Sequence, residues 1–195
     1  FTGGQTNITY NCLDRHIEER GDQTAILWEP NDPNGKTKSY SYKELLAAVN
    51  QCANGLKEKG ISKGDRVIFY MPMVPELAIA VLACARIGAV HSVVFAGFSA
   101  QALADRVDDA LAKMIICSDY NQRGGKNIPV KSVVDQAMDI GCNSVENVLV
   151  HKNTGETVNW SDDTDIWWHE LIHQQSEHCE PEVMNSEDML FILYT

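Results

Sequence analysis

The sequence predicts an α/β fold built on a mostly parallel sheet with crossover helices. Three short segments are continuously apolar: Val67-Ile68-Phe69, Val93-Val94-Phe95 and Ile115-Ile116-Cys117. Strands covered on both faces have such runs, whereas half-exposed strands alternate apolar and polar residues. Segments with helical spacing separate the runs, and this alternation is typical of parallel sheets. The chain of 195 residues is long enough for one domain with a buried core.

The first sixty residues predict one short helix, a hairpin and one longer helix. The predicted short helix spans 13–19, and the predicted strands span 25–28 and 37–40. The segment Asn31–Gly35 is rich in turn-forming residues, so it is expected to connect the two strands. Ser41 and Glu44 then fit a capping box, and the helix that they begin is expected to end at Gly60.

Strands and helices alternate along the rest of the chain. The predicted strands lie at 66–70, 91–95, 114–117, 145–150 and 190–194, and the predicted helices lie at 75–88, 99–112, 130–140 and 166–174. Pro75 suits the first turn of a helix, because an N–H group there would have no helical partner. Ser99 is a suitable N-cap, and Gly141 is a suitable residue to end the helix before it.

The composition argues against several classes of protein. Sixteen basic and 27 acidic residues give a net charge of −11, which disfavours a general nucleic-acid-binding surface. No run of 18 apolar residues is present, so we expect no membrane-spanning helix. The six cysteines include no Cys-x-x-Cys pair and are expected to be reduced thiols of a cytoplasmic protein. A nuclear or organellar location stays open, because the chain begins at Phe1 rather than Met.

A zinc-protease pattern, His-Glu-x-x-His, occurs at His169-Glu170-Leu171-Ile172-His173. On a helix the two histidines would share one face, and the glutamate could activate a metal-bound water. The third ligand does not fit, because Ser176 and Cys179 stand where one protease class has Gly and His. An exposed helix rich in His and acidic residues explains the pattern as well, so a zinc metallopeptidase is only an alternative from another class.

An aromatic-glycine corner, Phe95-Ala96-Gly97-Phe98, follows one predicted strand and precedes a helix. Ligands of open α/β sheets bind at the carboxyl ends of the strands. Gly97 would let a ligand approach the backbone, and Phe95 or Phe98 would face a flat ring. A corner with buried aromatic side chains is the alternative interpretation.

A cationic segment, Arg123-Gly124-Gly125-Lys126, follows the next predicted strand and therefore opens on the same edge of the sheet. Two cations separated by two glycines are expected to form a flexible loop that wraps a phosphate, with Arg as a planar fork and Lys as a point charge. A solvated turn is the alternative. Together with the aromatic corner, the segment predicts a site for an adenosine phosphate.

Several ordered stretches resemble the AMP-forming acetyl-coenzyme A synthetases of the adenylate-forming superfamily. They are Asn11-Cys12-Leu13-Asp14-Arg15-His16, 70–73, 85–99, 123–126, 167–169 and 190–195. The resemblance covers essentially all 195 residues. It implies an adenylate-forming (ANL) large N-terminal domain, present here in part, with 1–195 as a partial AMP-dependent synthetase/ligase domain and the mobile C-terminal domain absent.

The resemblance also implies a two-step reaction. Acetate attacks the α-phosphorus of ATP, with magnesium screening the phosphates, and gives acetyl-adenylate and diphosphate. The thiol of coenzyme A then attacks the acyl carbon and releases AMP. Propionyl-coenzyme A synthetase is an alternative within the family, because the pocket for the acyl group is not in this sequence. A non-enzymatic nucleotide-binding module is a further alternative.

Roles for single residues follow from the same resemblance. The family binds the 3′-phosphate and adenine end of coenzyme A against the loop that matches Arg123–Lys126, and the wall beside it matches Phe95–Gly97. The phosphate loop, the acetate pocket and the catalytic lysine of the family would lie beyond Thr195. We therefore expect no catalytic residue and no metal ligand in this chain, and no turnover by this piece alone.

Overall fold

The computed structural model describes residues 2–194 and divides into two compact units. The helix-rich unit consists of Phe1–Gly64, Val74–Val90 and Gln174–Leu190. The sheet unit consists of Asp65–Met73, His91–His173 and Phe191–Thr195. None of the helices among the described residues is both long and apolar enough to cross a membrane.

The elements follow one another along the chain as strands and helices of both units. In order they are β1 (Gln5–Thr6), α1 (Ile8–Cys12), a 3-10 turn (Asp14–His16), α2 (Ile17–Arg20), β2 (Thr24–Trp28), β3 (Lys38–Ser41), α3 (Tyr42–Glu58), β4 (Arg66–Tyr70), α4 (Pro75–Arg86), β5 (Val90–Val93), α5 (Ala100–Ala110), β6 (Met114–Ser118), β7 (Tyr120–Arg123), β8 (Lys126–Pro129), α6 (Val130–Ile140), β9 (Asn147–His151), β10 (Asp165–Trp167), α7 (Trp168–Ile172) and β11 (Met184–Asn185).

The sheet unit contains the parallel sheet that the sequence predicts. Its five strands are ordered β10-β9-β6-β4-β5, and β4, β6, β9 and β10 pair in parallel. The N–H group of Val94, just after β5, donates to the carbonyl oxygen of Phe69 near the end of β4, so β5 ends at the same edge. Ile115, Ile116 and Cys117 of β6 are completely buried, as the apolar run predicts. The expected α/β fold with crossover helices is confirmed.

One face of this sheet packs on α5 and α6. Their inward residues, such as Leu103, Val107 and Val134, form a single apolar cluster with Ile68 and Val148 of the strands. The Ser99 side chain caps α5 by accepting from the N–H group of Ala102. The predicted boundaries of α6 are confirmed at both ends, and α5 ends two residues earlier than expected.

The helix-rich unit confirms the predicted hairpin and its capped helix. β2 and β3 pair antiparallel, and α3 begins at a full capping box between Ser41 and Glu44. The expected short helix at 13–19 is confirmed except at Leu13, which has non-helical angles (φ −126°, ψ −69°): the 3-10 turn Asp14–His16 continues directly into α2. The chain also forms α1 before it, which was not predicted, since the side chain of Asn7 accepts from the N–H group of Thr9 and caps that helix.

Two expectations near the end of the chain are wrong. The predicted helix at 166–174 begins as β10, whose backbone pairs in parallel with β9, and only α7 is helical. The predicted strand at 190–194 is reduced to one isolated parallel bridge between His91 and Phe191. In both places pairing with a distant strand, rather than local sequence pattern, decides the conformation.

The cysteines are free thiols, and only Cys12 is exposed. Burial raises the pKa of the Cys52, Cys84 and Cys117 thiols well above the ordinary value. These three thiols are therefore protonated at neutral pH and behave as small apolar groups in the interior.

A buried ion pair joins three segments of the helix-rich unit. Arg86, 3% exposed, makes two hydrogen bonds of 2.9 Å to the carboxylate of Asp14 and one of 2.6 Å to the carbonyl oxygen of Cys179. The side-chain amide of Asn7 donates to the carbonyl oxygens of Ala85, Arg86 and Glu182. The guanidinium thus has partners in both of the other segments, which offset the cost of burying its charge.

Replacing Asp14 tests how much this ion pair contributes to the stability of the fold. Asp14→Ala leaves the buried Arg86 guanidinium without its carboxylate, and we expect the free energy of unfolding to fall by about 3 kcal/mol. Chemical denaturation of the native gene product measures the change. The control is Asp22→Ala, since Asp22 forms an exposed ion pair with Lys43 and its loss should leave the midpoint nearly unchanged. Equal effects of the two substitutions would contradict this assignment.

Candidate functional site

The carboxyl edge of the parallel sheet carries the two predicted site segments. The aromatic-glycine corner, Phe95–Phe98, follows β5, and the hairpin of β7 and β8 follows β6. In the sheet order β4 lies between β5 and β6, so the two segments start two strand spacings apart, or roughly 10 Å. The structure thus brings them to one edge as predicted, with β4 separating them.

The aromatic corner presents its rings to solvent. Phe95 is 60% and Phe98 42% exposed, and their rings meet edge to face with centroids 5.9 Å apart. The alternative of a corner with buried aromatics is therefore wrong. A Cβ atom on Gly97 would clash with the Phe95 ring, so the absence of a side chain at Gly97 lets that ring fold over the backbone.

The corner is held from below by Tyr70, the last residue of β4. Its hydroxyl donates a hydrogen bond of 2.7 Å to the carbonyl oxygen of Phe98. Burial raises the pKa of Tyr70, so the phenol remains protonated and keeps this donor at neutral pH. On the other side, the Arg106 guanidinium lies 4.9 Å from the centroid of the Phe98 ring and 5.2 Å from that of Tyr194.

The cationic segment forms the turn of a tight β-hairpin, not a flexible loop. β7 and β8 pair antiparallel with Arg123 directly opposite Lys126, so only Gly124 and Gly125 lie between the strands. Both glycines have positive φ (57° and 75°), which two-residue hairpin turns of type I′ require. Residues directly opposite each other in an antiparallel pair project from the same face, so the two cations stand side by side.

The two cations lack partners of their own. Arg123 and Lys126 are exposed, and neither side chain forms a hydrogen bond or ion pair with any residue in the described range 2–194. Like charges directly opposite each other destabilise a strand pair. An anion bound between them would remove this repulsion, which makes their common face a candidate anion site.

The base of the hairpin rests on a buried carboxylate that sequence reasoning missed. Asp119, completely buried, follows β6, and its side chain accepts from a set of backbone N–H groups. These belong to Tyr120 (2.6 Å), Asn153 (2.8 Å), Thr154 (3.1 Å) and Gly155 (2.7 Å). Three of the four donors lie more than thirty positions away in the sequence, so no local signal points to them.

The third cation of the acid-free stretch 120–134 has a structural role. Lys131 is 2% exposed and lies 2.8 Å from Asp165, and its ammonium also bonds Asp135. Burial opposes the charged form, but the hydrogen bonds and charges of Asp135 and Asp165 outweigh it and raise the pKa of Lys131. These residues line an open cavity of about 330 Å³ with Asn159 and Trp160.

The His-Glu-x-x-His pattern is not arranged as a metal site. α7 has only five residues, and His169, Glu170 and His173 are exposed. In the part of the chain that the structure describes, no group of three or more His, Cys, Asp or Glu side chains is placed to hold a metal ion. Nothing in the structure supports the zinc-peptidase alternative.

Comparison with known proteins identifies the family. The family model described as "AMP-binding enzyme" matches residues 13–195. The chain is similar, over its whole length, to acetyl-coenzyme A synthetases of Halorhodospira halophila (52% identity) and Yersinia pseudotuberculosis (54%). It spans about 30% of the length of each.

A solved structure shows the same fold. Acetoacetyl-CoA synthetase from Streptomyces lividans superimposes on the whole of this chain with a TM-score of 0.89 and 24% identity, and the match covers 29% of that protein. This likeness supports the fold alone, and the residue matches of the family model support the kinship. The chain therefore belongs to the AMP-binding enzyme family.

Proposed function

We propose that this chain supplies the coenzyme A-binding wall of an AMP-forming acetate–CoA ligase. The enzyme would convert ATP, acetate and coenzyme A into acetyl-coenzyme A, AMP and diphosphate. The observation that carries the proposal is the unpartnered pair Arg123 and Lys126, side by side on a tight hairpin at the carboxyl edge of a parallel sheet. The names of the relatives, acetyl-coenzyme A synthetase, support the choice of reaction.

The reaction consists of two displacements. In the first, a carboxylate oxygen of acetate bonds to the α-phosphorus of ATP, and the bond to diphosphate breaks. In the second, the thiol sulfur of coenzyme A bonds to the acyl carbon, its proton is lost, and the bond to the AMP oxygen breaks. Adenylation makes this carbon reactive because AMP is a much better leaving group than an oxide ion. The residues of this chain act in the second step by holding coenzyme A.

The hairpin would hold the 3′-phosphate of coenzyme A. The planar guanidinium of Arg123 can donate two parallel hydrogen bonds to phosphate oxygens, while the ammonium of Lys126 adds a point charge. Gly124 and Gly125 keep the turn tight, and a Cβ atom on either would meet nothing within 4 Å, so a ligand can approach the turn. The paired cations are arranged before the ligand arrives, which lowers the entropy lost on binding.

The aromatic corner would provide the neighbouring wall for the adenine ring. The exposed face of Phe95 offers a flat apolar surface, and stacking of a base on an aromatic ring is favourable. Ala96 is nearly buried beside it, and Gly97 is covered by the Phe95 ring in this arrangement. Contact between a ligand and the Gly97 backbone would therefore require that ring to turn aside.

Other parts of the proposed reaction involve groups outside the described residues. Magnesium would accompany ATP, and among residues 2–194 no group of three or more His, Cys, Asp or Glu side chains is placed to hold it. No residue of this chain is given a catalytic role. We infer that 1–195 is part of the N-terminal synthetase domain, which the threefold greater length of the relatives supports. Six free thiols favour a reducing compartment, in keeping with a cytoplasmic enzyme.

Assays of the two half-reactions test the assignment of Arg123. In the native gene product, Arg123→Ala should raise the KM for coenzyme A about 10- to 100-fold, because a hydrogen bond to a charged group contributes about 1.5–3 kcal/mol. Acetate-dependent exchange of diphosphate into ATP uses no coenzyme A and should stay within about twofold. The control is Lys152→Ala, which removes an exposed cation of the same unit. Loss of exchange with an unchanged KM for coenzyme A would overturn the assignment.

A substrate without the 3′-phosphate tests whether Arg123 binds that phosphate rather than another part of coenzyme A. Dephospho-coenzyme A lacks the 3′-phosphate, so Arg123→Ala should change its KM by less than about twofold. A full effect of the substitution on this substrate would show that Arg123 does not bind that phosphate. Comparing kcat/KM for acetate and propionate in the same assays distinguishes the acetate ligase from its propionate counterpart.

The choice of lysine at position 126 leads to a second expectation. Lys126→Arg keeps the charge and adds a planar fork, so the KM for coenzyme A should fall by up to about tenfold if the geometry admits a second bidentate contact. Lys126→Glu should raise it, because the substituted side chain repels phosphate. If neither substitution changes this KM, Lys126 does not contact the ligand.

A further inference from the structure

The hairpin of β7 and β8 is too small to fix its own orientation relative to the sheet. It consists of two four-residue strands, β7 and β8, and an isolated two-stranded hairpin is marginally stable in water. Its tip carries the exposed cations, and burial is confined to its base, where Val130 begins α6. The direction in which Arg123 and Lys126 point must therefore be fixed from the base.

Both ends of the hairpin bond to Asp119. At the entrance, the N–H group of Tyr120 donates 2.6 Å to the carboxylate. At the exit, the N–H groups of Val130 and Lys131 each donate 3.1 Å to the Asp119 carbonyl oxygen. The N–H group of Asp119 in turn donates 2.9 Å to the carbonyl oxygen of His151, the last residue of β9. One residue thus ties both strands of the hairpin to the sheet.

The loop after β9 completes this anchor. The successive N–H groups of Asn153, Thr154 and Gly155 all point at the Asp119 carboxylate, an arrangement that binds anions in many proteins. Here the anion is the protein's own side chain. The Asn153 amide also donates 2.9 Å to the carbonyl oxygen of Tyr120, which adds a second bond between this loop and β7.

A contact further along the hairpin uses the face opposite to the cations. The amide of Asn127 donates 2.9 Å to the Glu156 carboxylate. Successive residues of a strand project to opposite faces, so Glu156 contacts the face that does not carry Lys126. The loop therefore supports the hairpin from behind and leaves the cationic face open to a ligand.

We propose that Asp119 is a positioning residue for coenzyme A, which fixes the direction of the hairpin and so the place of Arg123 and Lys126. It touches no substrate and acts only through the hairpin. This inference rests on the proposed function, because its effect is measured as binding of coenzyme A.

Asp119→Asn tests the inference with the smallest change of shape. One carboxylate oxygen becomes an NH₂ group, which cannot accept and faces backbone N–H donors, so the anchor loosens on one side. In the native gene product, the KM for coenzyme A should rise about tenfold, since small misplacements of binding groups have effects of this order. The rate of acetate-dependent diphosphate exchange should change by less than about twofold.

A second buried carboxylate of the same unit provides the matched control. Asp65 is 9% exposed and pairs at 2.9 Å with the Lys113 ammonium; it precedes β4 and so lies at the edge of the sheet opposite to the hairpin. Asp65→Asn should lower the Tm without a selective change in the KM for coenzyme A. If both substitutions raise this KM equally, Asp119 has only a general structural role and the inference is wrong. Should Asp119→Asn fail to fold, Asn153→Ala loosens the same anchor and should raise the KM for coenzyme A.

A variant without the two cations separates positioning from direct contact. In the background Arg123→Ala/Lys126→Ala, Asp119→Asn should change the KM for coenzyme A by less than about twofold, because its effect passes through side chains that are no longer present. A full additional effect would overturn the inference. If Arg123→Ala has no effect on this KM, the proposed function fails. If it has an effect and Asp119→Asn does not, only the positioning role fails.

Discussion

Burial of the central strands on both faces is the constraint on which the candidate site depends. No surface is exposed at the centres of β4 (Val67, Ile68 and Phe69) and β6. Only the ends of these strands can therefore contact solvent. Parallel strands place all their carboxyl ends at one edge, and polar or flexible segments must emerge there. The aromatic corner and the cationic hairpin share an edge for this reason.

Two groups of charged side chains differ in their surroundings: buried ones with hydrogen-bond partners, and exposed ones without partners in the part of the chain that the structure describes. Arg86, Asp119 and Lys131 are buried, and each is surrounded by hydrogen-bond partners that offset the cost of removing a charge from water. Arg123 and Lys126 stand in water beside each other without partners among the described residues. Folding explains the first group. It does not explain the second group, since two opposed cations weaken the hairpin that carries them, and the proposed coenzyme A phosphate would offset their repulsion.

The sequence predicts those elements whose signals are local. The capping box at Ser41, the buried run of β4 and the glycine after α6 each act within a few residues, and their elements form as expected. The expected helix at 166–174 fails because β10 pairs with β9, whose partner residues precede it by seventeen positions. In the proposed site, residue types single out Arg123 and Lys126 as candidates. The tight turn and the proposed role of Asp119 depend on partners that only the folded chain brings together.

The buried charges also determine where the two exposed cations of the hairpin stand. Lys131 is in the first turn of α6, and its ammonium bonds Asp165, the first residue of β10, while its N–H group bonds the Asp119 carbonyl oxygen. The start of α6 is thereby fixed to both β6 and β10, and the start of α6 is also the end of the hairpin. The buried Lys131 thus helps to fix the base of the hairpin whose exposed cations are Arg123 and Lys126. Because the three cations lie within nine positions of the sequence, residue type alone does not distinguish the buried one from the exposed pair. The partners that the folded chain brings to each of them make that distinction.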